Sequence, residues 1–202
     1  MPSSEDSFTL PRECESALLD RFVKAEAMAL WAVRSARLQN LPSNVQAFLR
    51  KHEEDESNHL RLFETLVGHS SHERSRLPAM PRQWPSLAVQ LYGYESLGLE
   101  FARLLVVLRP DLASILADEQ SHVEFFRQEI SRLLASGGPQ AEQARTSARS
   151  WWRKLPSTLN RYLESSTLDS VRCAVAARIR GSIGQRMVQS ELLTKSCLST
   201  VG

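Results

Sequence analysis

The stretch HEEDESNHL, residues 52–60, places four acidic side chains and two histidines within nine residues. Apolar residues flank it at helical spacing, so the stretch belongs to a helix that has a buried face. A charged run in such a helix is ordinarily a solvated surface. Whether some of these charges point inward instead depends on the rest of the chain.

The composition is typical of one globular domain of moderate size. The chain has 202 residues, of which 42% are hydrophobic, enough for a sizeable core. The formal net charge of +2 indicates no particular partner. Residues 140–202, however, carry ten Lys/Arg against four Asp/Glu, while the preceding residues carry 15 against 19. This basic C-terminal segment is either a solvated helical surface or a site for an anionic partner.

Cysteine usage and the absence of an apolar leader predict a cytoplasmic protein. Cys14, Cys173 and Cys197 are far apart and form no CxxC motif, which favours a reducing compartment over a disulfide framework or a zinc knuckle. The polar N-terminus is unlike a signal peptide, and no apolar run approaches the roughly 20 residues that span a bilayer. We therefore expect no membrane association.

Glycines and prolines are sparse, and the segments between them have helical periodicity without convincing strand alternation. The predicted helices cover about 12–40, 43–67, 87–108 and 110–135. Short links within each pair and a link of about 18 residues between the pairs predict an all-α four-helix bundle with a long crossover between helices 2 and 3. We expect a flexible N-terminus over 1–11, the bundle over 12–136, and a helical extension over 140–202 packed on the bundle. The extension is predicted as segments 141–155, 157–165 and 168–193.

The second hairpin repeats the first. The second predicted helix contains DESNH, residues 55–59, and the fourth contains DEQSH, residues 118–122, so both contain Asp-Glu-x-x-His. The first helix of each hairpin offers a glutamate, Glu26 in AEAMALWAVR and Glu95 in YESLGLEFAR. One such motif is common by chance in a helical protein, but a matched pair in corresponding positions indicates a shared site.

Helical spacing places this set of acids and histidines on the apolar faces of the four helices. Buried carboxylates are costly without counter-charge, and two metal ions would supply it. The predicted ligands are Glu26, Glu56, His59, Glu95, Glu119 and His122. A mixture of hard carboxylates and imidazoles favours iron, whereas zinc prefers fewer ligands.

Four further positions stay open, and two aspartates have a predicted role. Asp55 is expected to reach His122, and Asp118 to reach His59, because ligating histidines usually pass their second N–H to a carboxylate. Solvated aspartates are the alternative. The open positions are Glu100, which competes with Glu95; His52, a ligand neighbour, a substrate-pocket residue or a packed core residue; and Tyr92 and Tyr94, which flank Glu95.

These residues resemble the ferritin-like di-iron carboxylate superfamily, which includes rubrerythrins, ferritins, tRNA-modifying hydroxylases and bacterial monooxygenases. The similarity covers about residues 12–135, and the paired Asp-Glu-x-x-His motif looks most like the oxygenase branch. The resemblance implies two iron ions, with Mn/Fe left open, O₂ as co-substrate and an external electron donor. The chain lacks the rubredoxin-type cysteines of a full rubrerythrin, and its C-terminal helices are not part of a simple ferritin subunit.

The resemblance implies an O₂-activating oxidoreductase, a hydroxylase or monooxygenase, acting on a small organic or tRNA-linked substrate. An electron-donor protein is an expected partner, and a homodimer stays open. Two alternatives remain at this point: a ferroxidase or peroxide-scavenging protein without an organic substrate, and a non-catalytic helical binding domain that holds no metal.

Overall fold

The computed structural model describes residues 10–70 and 79–198. Every regular element within these ranges is helical, which confirms the all-α prediction for them. The α-helices are α1 Cys14–Arg37, α2 Ser43–Val67, α3 Trp84–Leu108, α4 Ala113–Ala135, α5 Gly138–Tyr162, α6 Arg172–Gln189 and α7 Lys195–Leu198. Short 3₁₀ turns lie at Pro110–Leu112 and Ser166–Leu168.

The first four helices form two antiparallel hairpins that make up a helical bundle. Helix α1 packs along α2, α3 packs along α4, and a contact between α1 and α3 joins the hairpins. Helix α3 is the most buried of the four, with 16 of its 25 residues inaccessible to solvent. It lies at the centre of the molecule because α5 and α6 also pack on it.

Two tryptophans of α5 hold the C-terminal helices in place, Trp151 against α3 of the bundle and Trp152 against α6. The indole of Trp151 lies so close to Gly93 that any Cβ at that position would overlap the ring, so glycine is what lets α5 approach α3. Trp152 is also buried and lies against Gly184 of α6, where an added Cβ would be 2.9 Å from the ring. Burying two indole rings stabilises the packing by several kcal/mol, at about 25 cal/mol per Å² of apolar surface.

Helix α5 differs from the prediction because it is continuous where two segments were expected. It passes through Pro156, which lacks an N–H and would ordinarily interrupt a helix. The buried stripe formed by Trp152, Leu155 and Leu159 continues across the proline, so packing on α3 and α4 offsets the lost hydrogen bond.

Parts of the predicted N-terminal segment and of the crossover lie outside the described residues. Of residues 1–11, which were expected to be flexible, 1–9 are outside, and Leu10 is buried in the core. Residues 71–78 of the crossover are also outside. In the two described ranges, no helix combines the length and the apolar character that crossing a bilayer requires.

Candidate metal centre

The six predicted ligands are all buried and converge in the middle of the bundle, together with His52. They form two groups of four, in each of which one potential ligand atom per residue lies within 4.8 Å of the others. The groups are His52, Glu56, Glu95 and His122, and Glu26, Glu56, His59 and Glu119. Glu56 belongs to both groups, so its carboxylate lies between them.

Local helix geometry explains why these side chains meet. Glu56 and His59 lie one helical turn apart on the buried stripe of α2, and Glu119 and His122 occupy the same relation on α4. Gly98 of α3 leaves space for Glu119, because a Cβ there would be 2.7 Å from its Oε2. The backbone of α3 therefore approaches the site closely where a larger residue would displace a carboxylate.

The histidines are oriented by aspartates across the bundle. His59 Nε2 lies 3.1 Å from Asp118 Oδ2, and His122 Nε2 lies 3.4 Å from Asp55 Oδ2. Both contacts anticipated from the sequence are therefore present. With Nε2 turned to an aspartate, each ring directs Nδ1 at the glutamates, as in the 3.7 Å approach of His59 Nδ1 to Glu26 Oε2. A metal-ligating histidine commonly has this arrangement, with one nitrogen held by a carboxylate and the other available to an ion.

Unsatisfied buried atoms provide a test of whether metal ions fit the site. Glu26 Oε2, Glu56 Oε2, His59 Nδ1 and His122 Nδ1 are buried without a hydrogen-bond partner among the described residues. Buried polar atoms are hydrogen-bonded in the large majority of cases, so several orphans in one cluster need an explanation. These four atoms belong to predicted ligands, and His52 Nδ1 is a fifth such atom in the cluster. Three other buried atoms without a partner belong to residues outside it, Gln39, Ser96 and Arg186. Carboxylate oxygens and imidazole nitrogens together suit iron or manganese, so the residues fit the proposed ions.

The carboxylates divide into two kinds by their ionisation. Burial raises the pKa of Glu26 and Glu119 well above the usual value, and the nearby charge of Glu56 raises both further. Burial also acts on Glu56 and Glu95, but His122 and His52 outweigh it and lower the pKa of both. Without a metal, the centre therefore balances its charge with protons on one side and with imidazolium on the other.

His52, whose role the sequence leaves open, is a member of the cluster. Its Nε2 is 2.9 Å from Glu56 Oε1 and 3.3 Å from Glu95 Oε2. Its ring lies 3.9 Å from that of His122, centroid to centroid. The two carboxylates raise the pKa of His52 against the opposing effects of burial and of His122. The sequence signal was its position one turn before Glu56, although a packed core histidine has the same spacing.

The structure separates Glu95 from its competitor Glu100. Glu95 points into the cluster, whereas Glu100 Oε1 accepts a hydrogen bond from Arg103 at 2.9 Å and another from Arg186 of α6. Glu100 is therefore a buried ion-pair residue between α3 and α6.

The two tyrosines that flank Glu95 lie on different sides of α3. Tyr92 is buried near Ser190 and Arg186, on the side of α3 that faces α6, and burial raises its pKa. Tyr94 instead lines a small cavity beside the cluster, so only the second tyrosine is near the predicted metal site.

This metal-side cavity has a volume of about 40 Å³ and is lined by Glu26, Glu95 and Glu119 on one side. Phe22, Leu97 and Phe101 supply apolar walls. Met28 and Tyr162 also line it, and neither was anticipated as a site residue. Tyr162 comes from α5, outside the repeated hairpins, and nothing in the local sequence signals its position.

No protein-family model, curated protein or solved structure matches this chain. The resemblance to the ferritin-like superfamily therefore depends on the residues and their geometry alone.

Proposed function

We propose that this chain is a ferritin-like di-iron oxidoreductase that activates O₂ for the hydroxylation or related oxygenation of an organic substrate. The observation that carries the proposal is the pair of buried four-residue groups that share Glu56. Such a cluster costs folding free energy unless cations occupy it, because each buried carboxylate has lost its hydration. A site maintained at that cost is a functional-site candidate.

In this proposal the cluster residues are divided between two ions. Glu26 and His59 would hold the first ion, Glu95 and His122 the second, with Glu56 between them and Glu119 on the side of the first group. His52 is placed to complete the second. When bound, two adjacent iron ions supply the electrons that reduction of O₂ requires. Asp118 and Asp55 hold the two imidazoles in the tautomer that presents Nδ1 to the ions.

The metal-side cavity is the observation that supports an organic substrate over simple iron chemistry. A space of about 40 Å³ admits O₂ or one small group of a larger molecule beside the carboxylates. Its walls of Phe22, Phe101 and Leu97 exclude water from the reacting group, which protects an oxidising centre from side reactions.

The experiment is metal loading followed by oxidation. The purified chain is loaded with Fe²⁺ under anaerobic conditions and desalted, and its iron content is measured. O₂ is then added while its consumption and the absorption spectrum are followed. We expect about two iron ions per chain. Addition of O₂ should then change the absorption spectrum rapidly while O₂ is consumed. A chain that binds no iron, or that binds iron without consuming O₂, would contradict the proposal.

A parallel measurement separates oxygenation from simple iron or peroxide chemistry. A ferroxidase would turn over repeatedly with excess Fe²⁺ and accumulate ferric mineral, and a peroxide scavenger would consume H₂O₂ continuously. For an oxygenase we expect roughly one oxidation event per reduced centre until an electron donor and a substrate are supplied. Loading with Mn²⁺ before Fe²⁺ shows whether the ions are Fe/Fe or Mn/Fe.

A further inference from the structure

A second and much larger groove adjoins the metal-side cavity. It lies between α1, α3 and α5 and has a volume of about 1210 Å³. Small-molecule sites usually enclose about 300–1,000 Å³, so the groove has room for a complete organic substrate. It shares Met28, Tyr94, Leu97 and Tyr162 with the metal-side cavity, so these side chains lie between the two spaces.

The charge of this α1–α3–α5 groove has one sign. Five of its lining residues are cationic and none of the described ones is acidic; the cations are Arg21, Lys24, Arg153, Lys154 and Arg161. Arg153, Lys154 and Arg161 are exposed, and within 10–70 and 79–198 no carboxylate pairs with them. Arg149, by contrast, lies on the same helix outside the groove and is paired with Glu142 at 2.7 Å. The unpaired cations of α5 thus coincide with the concave surface.

The buried residues of the groove are all apolar, and we call them its floor; they are Val89, Leu97, Trp151 and Leu155. The serine, threonine and glutamine residues of the lining are partly or fully exposed; they are Ser86, Gln90, Ser147, Ser150, Ser157 and Thr158. Cations at the rim above an apolar floor are complementary to a molecule with an anionic head and an apolar body. A polynucleotide, whose charge is distributed along its whole length, matches this surface less well.

A movable contact separates the groove from the metal-side cavity. The hydroxyl of Tyr162 lies 3.3 Å from Met28 Sδ, and the ring of Tyr162 is 5.7 Å from that of Phe101. A methionine side chain has three rotatable bonds and adapts readily, so the Tyr162–Met28 contact can open without moving a helix.

We infer that the α1–α3–α5 groove is the substrate site and that it binds an organic anion with a phosphate or carboxylate head and an apolar body. Arg153, Lys154 and Arg161 hold the head, and the body lies along the apolar floor with its far end at the Tyr162–Met28 contact. The reaction of that far end rests on the proposed di-iron function, but the binding does not, because the groove contains none of the predicted ligands.

The test is calorimetric titration of the full, metal-free chain with hexyl phosphate. Three probes serve for comparison. Hexanol lacks the phosphate head, ethyl phosphate lacks most of the apolar body, and inorganic phosphate lacks the whole body. We expect hexyl phosphate to bind at least about tenfold more tightly than any of them, because the charged head and the additional methylenes both contribute. Hexanoate replaces the phosphate head by a carboxylate and shows which head the cations prefer.

The matched variants are a double change in the groove and a double change outside it. Arg153→Gln with Arg161→Gln should weaken hexyl phosphate binding about tenfold. Arg127→Gln with Arg149→Gln removes the same charge from paired surface positions and should leave the affinity within about twofold. All four side chains are exposed on helices, so circular dichroism should show unchanged folding for both variants.

Three results would overturn the inference: hexyl phosphate that binds no better than hexanol, equal losses in the two double variants, or a tRNA transcript that binds where hexyl phosphate does not. Iron content measured on iron-loaded portions of the same preparations keeps the two proposals apart. A chain that binds iron but no anion refutes only the groove. One that binds the anion but no iron refutes only the metal centre.

Discussion

The hairpins α1–α2 and α3–α4 contribute matching residues to one site, and their differences are as informative as their likeness. The matched pairs are Glu26 with Glu95, Glu56 with Glu119, His59 with His122, and Asp55 with Asp118. Glu26 and His59 lie in one four-residue group and Glu95 and His122 in the other, which is a twofold arrangement. Glu56 and Glu119 break it, because Glu56 belongs to both groups and Glu119 to one. Where the hairpins depart from each other, the departure marks a position with a role in only one half.

The first departure makes the two predicted metal sites chemically unequal. His52 precedes Glu56 by one helical turn, and the corresponding residue before Glu119 is Ile115. One group therefore has two imidazoles with two carboxylates, and the other has one imidazole with three carboxylates. Because imidazole is neutral as a ligand and carboxylate is anionic, the two ions would have different net charge around them.

The second departure lies in helix α3, at Gly98 on the side of the site and at Glu100 on the side of α6. Gly98 and Glu100 of α3 correspond to Ala29 and Trp31 of α1. Helix α3 is covered by α5 and α6, and Glu100 pairs with Arg186 beneath that cover. At the matching position of α1, Trp31 is only partly buried. The second hairpin thus serves both as half of the site and as the floor for the C-terminal helices.

The largest expected effect follows from the residue common to both groups. Glu56→Gln keeps the shape of the side chain but removes the charge that would bridge the ions, so we expect the iron content to fall from about two ions to near zero. Glu95→Gln, which changes one group only, should retain about one ion.

Elemental analysis after anaerobic loading and desalting measures both variants. Glu54→Gln is the control, since Glu54 lies on the same helix and is exposed. Retention of both ions by Glu56→Gln would show that the shared position of Glu56 is not what holds them.

The next effect concerns His52, the histidine that makes the two groups unequal. His52→Ile copies Ile115 into the first hairpin and makes the halves alike, so one of the two sites should lose affinity by about tenfold or more while the other keeps it. Titration of Fe²⁺ against a competing chelator resolves the two affinities.

His52→Gln distinguishes a ligand from a hydrogen-bonding neighbour. Glutamine can preserve the contact with Glu56 but is a poor ligand for iron, so a ligating His52 predicts a loss close to that of the isoleucine variant. Affinity fully restored by glutamine would assign His52 a positioning role only.

How far the sequence predicts this molecule can be judged from single residues. The helices, the hairpins and the convergence of six buried ligand candidates follow from apolar periodicity and from the repeated motif, because both are local signals. The preference for Glu95 over Glu100 has a weaker basis, namely the more polar residues Gly93, Ser96 and Arg103 on the face of Glu100. The partner that identifies the role of Glu100 is Arg186, which is 86 positions away in the chain and gives no local signal.

Two other features depend on packing between distant segments. Tyr162 meets Met28 across 134 positions, so its place at the metal-side cavity has no local signal. Helix α5 continues through Pro156 because burial of its apolar stripe outweighs the tendency of proline to interrupt a helix. That burial requires α3 and α4 to be folded, so the sequence around Pro156 does not reveal it. Tertiary context overrides local propensity at both positions.

A smaller effect is expected at Gly98, where the hairpins differ by a single methyl group. Gly98→Ala copies Ala29 but would place a Cβ 2.7 Å from Glu119 Oε2, so the carboxylate must shift. We expect a destabilisation of about 1–3 kcal/mol and weaker iron binding, although alanine is normally the better helix former.

Gly181→Ala is the matched control, because Gly181 lies within α6 with nothing near the position of an added Cβ. That change should stabilise the chain by about 0.5–1 kcal/mol. Urea unfolding compares the two, and equal stabilisation by both alanines would show that Glu119 is not confined by α3.

The extra histidine also predicts a dependence of stability on pH. His52 and His122 lower the pKa of Glu56 and Glu95, whereas Glu26 and Glu119, in the group without His52, have raised pKa values. Burial opposes protonation of His122, but contacts with Glu56 and Glu95 raise its pKa to about 11. A group whose pKa is raised binds its proton more tightly in the folded chain than in the unfolded chain. Its contribution to stability is therefore complete below the pKa of the unfolded chain, and it is lost as the pH rises towards the pKa of the folded chain.

For the metal-free chain, stability should therefore fall between pH 6 and pH 9, with a decrease in Tm of about 2–4 °C for each kcal/mol lost. Bound metal reverses the sign, because the ions replace these protons and bind more tightly as pH rises. Thermal unfolding at both pH values, with chelator and with Mn²⁺, measures the two slopes. A metal-free Tm that rises from pH 6 to pH 9 would mean that the folded chain does not hold the proton of His122 and that Glu26 and Glu119 are already ionised. In that case the difference in ionisation between the two groups, and the part of His52 in producing it, would have to be abandoned.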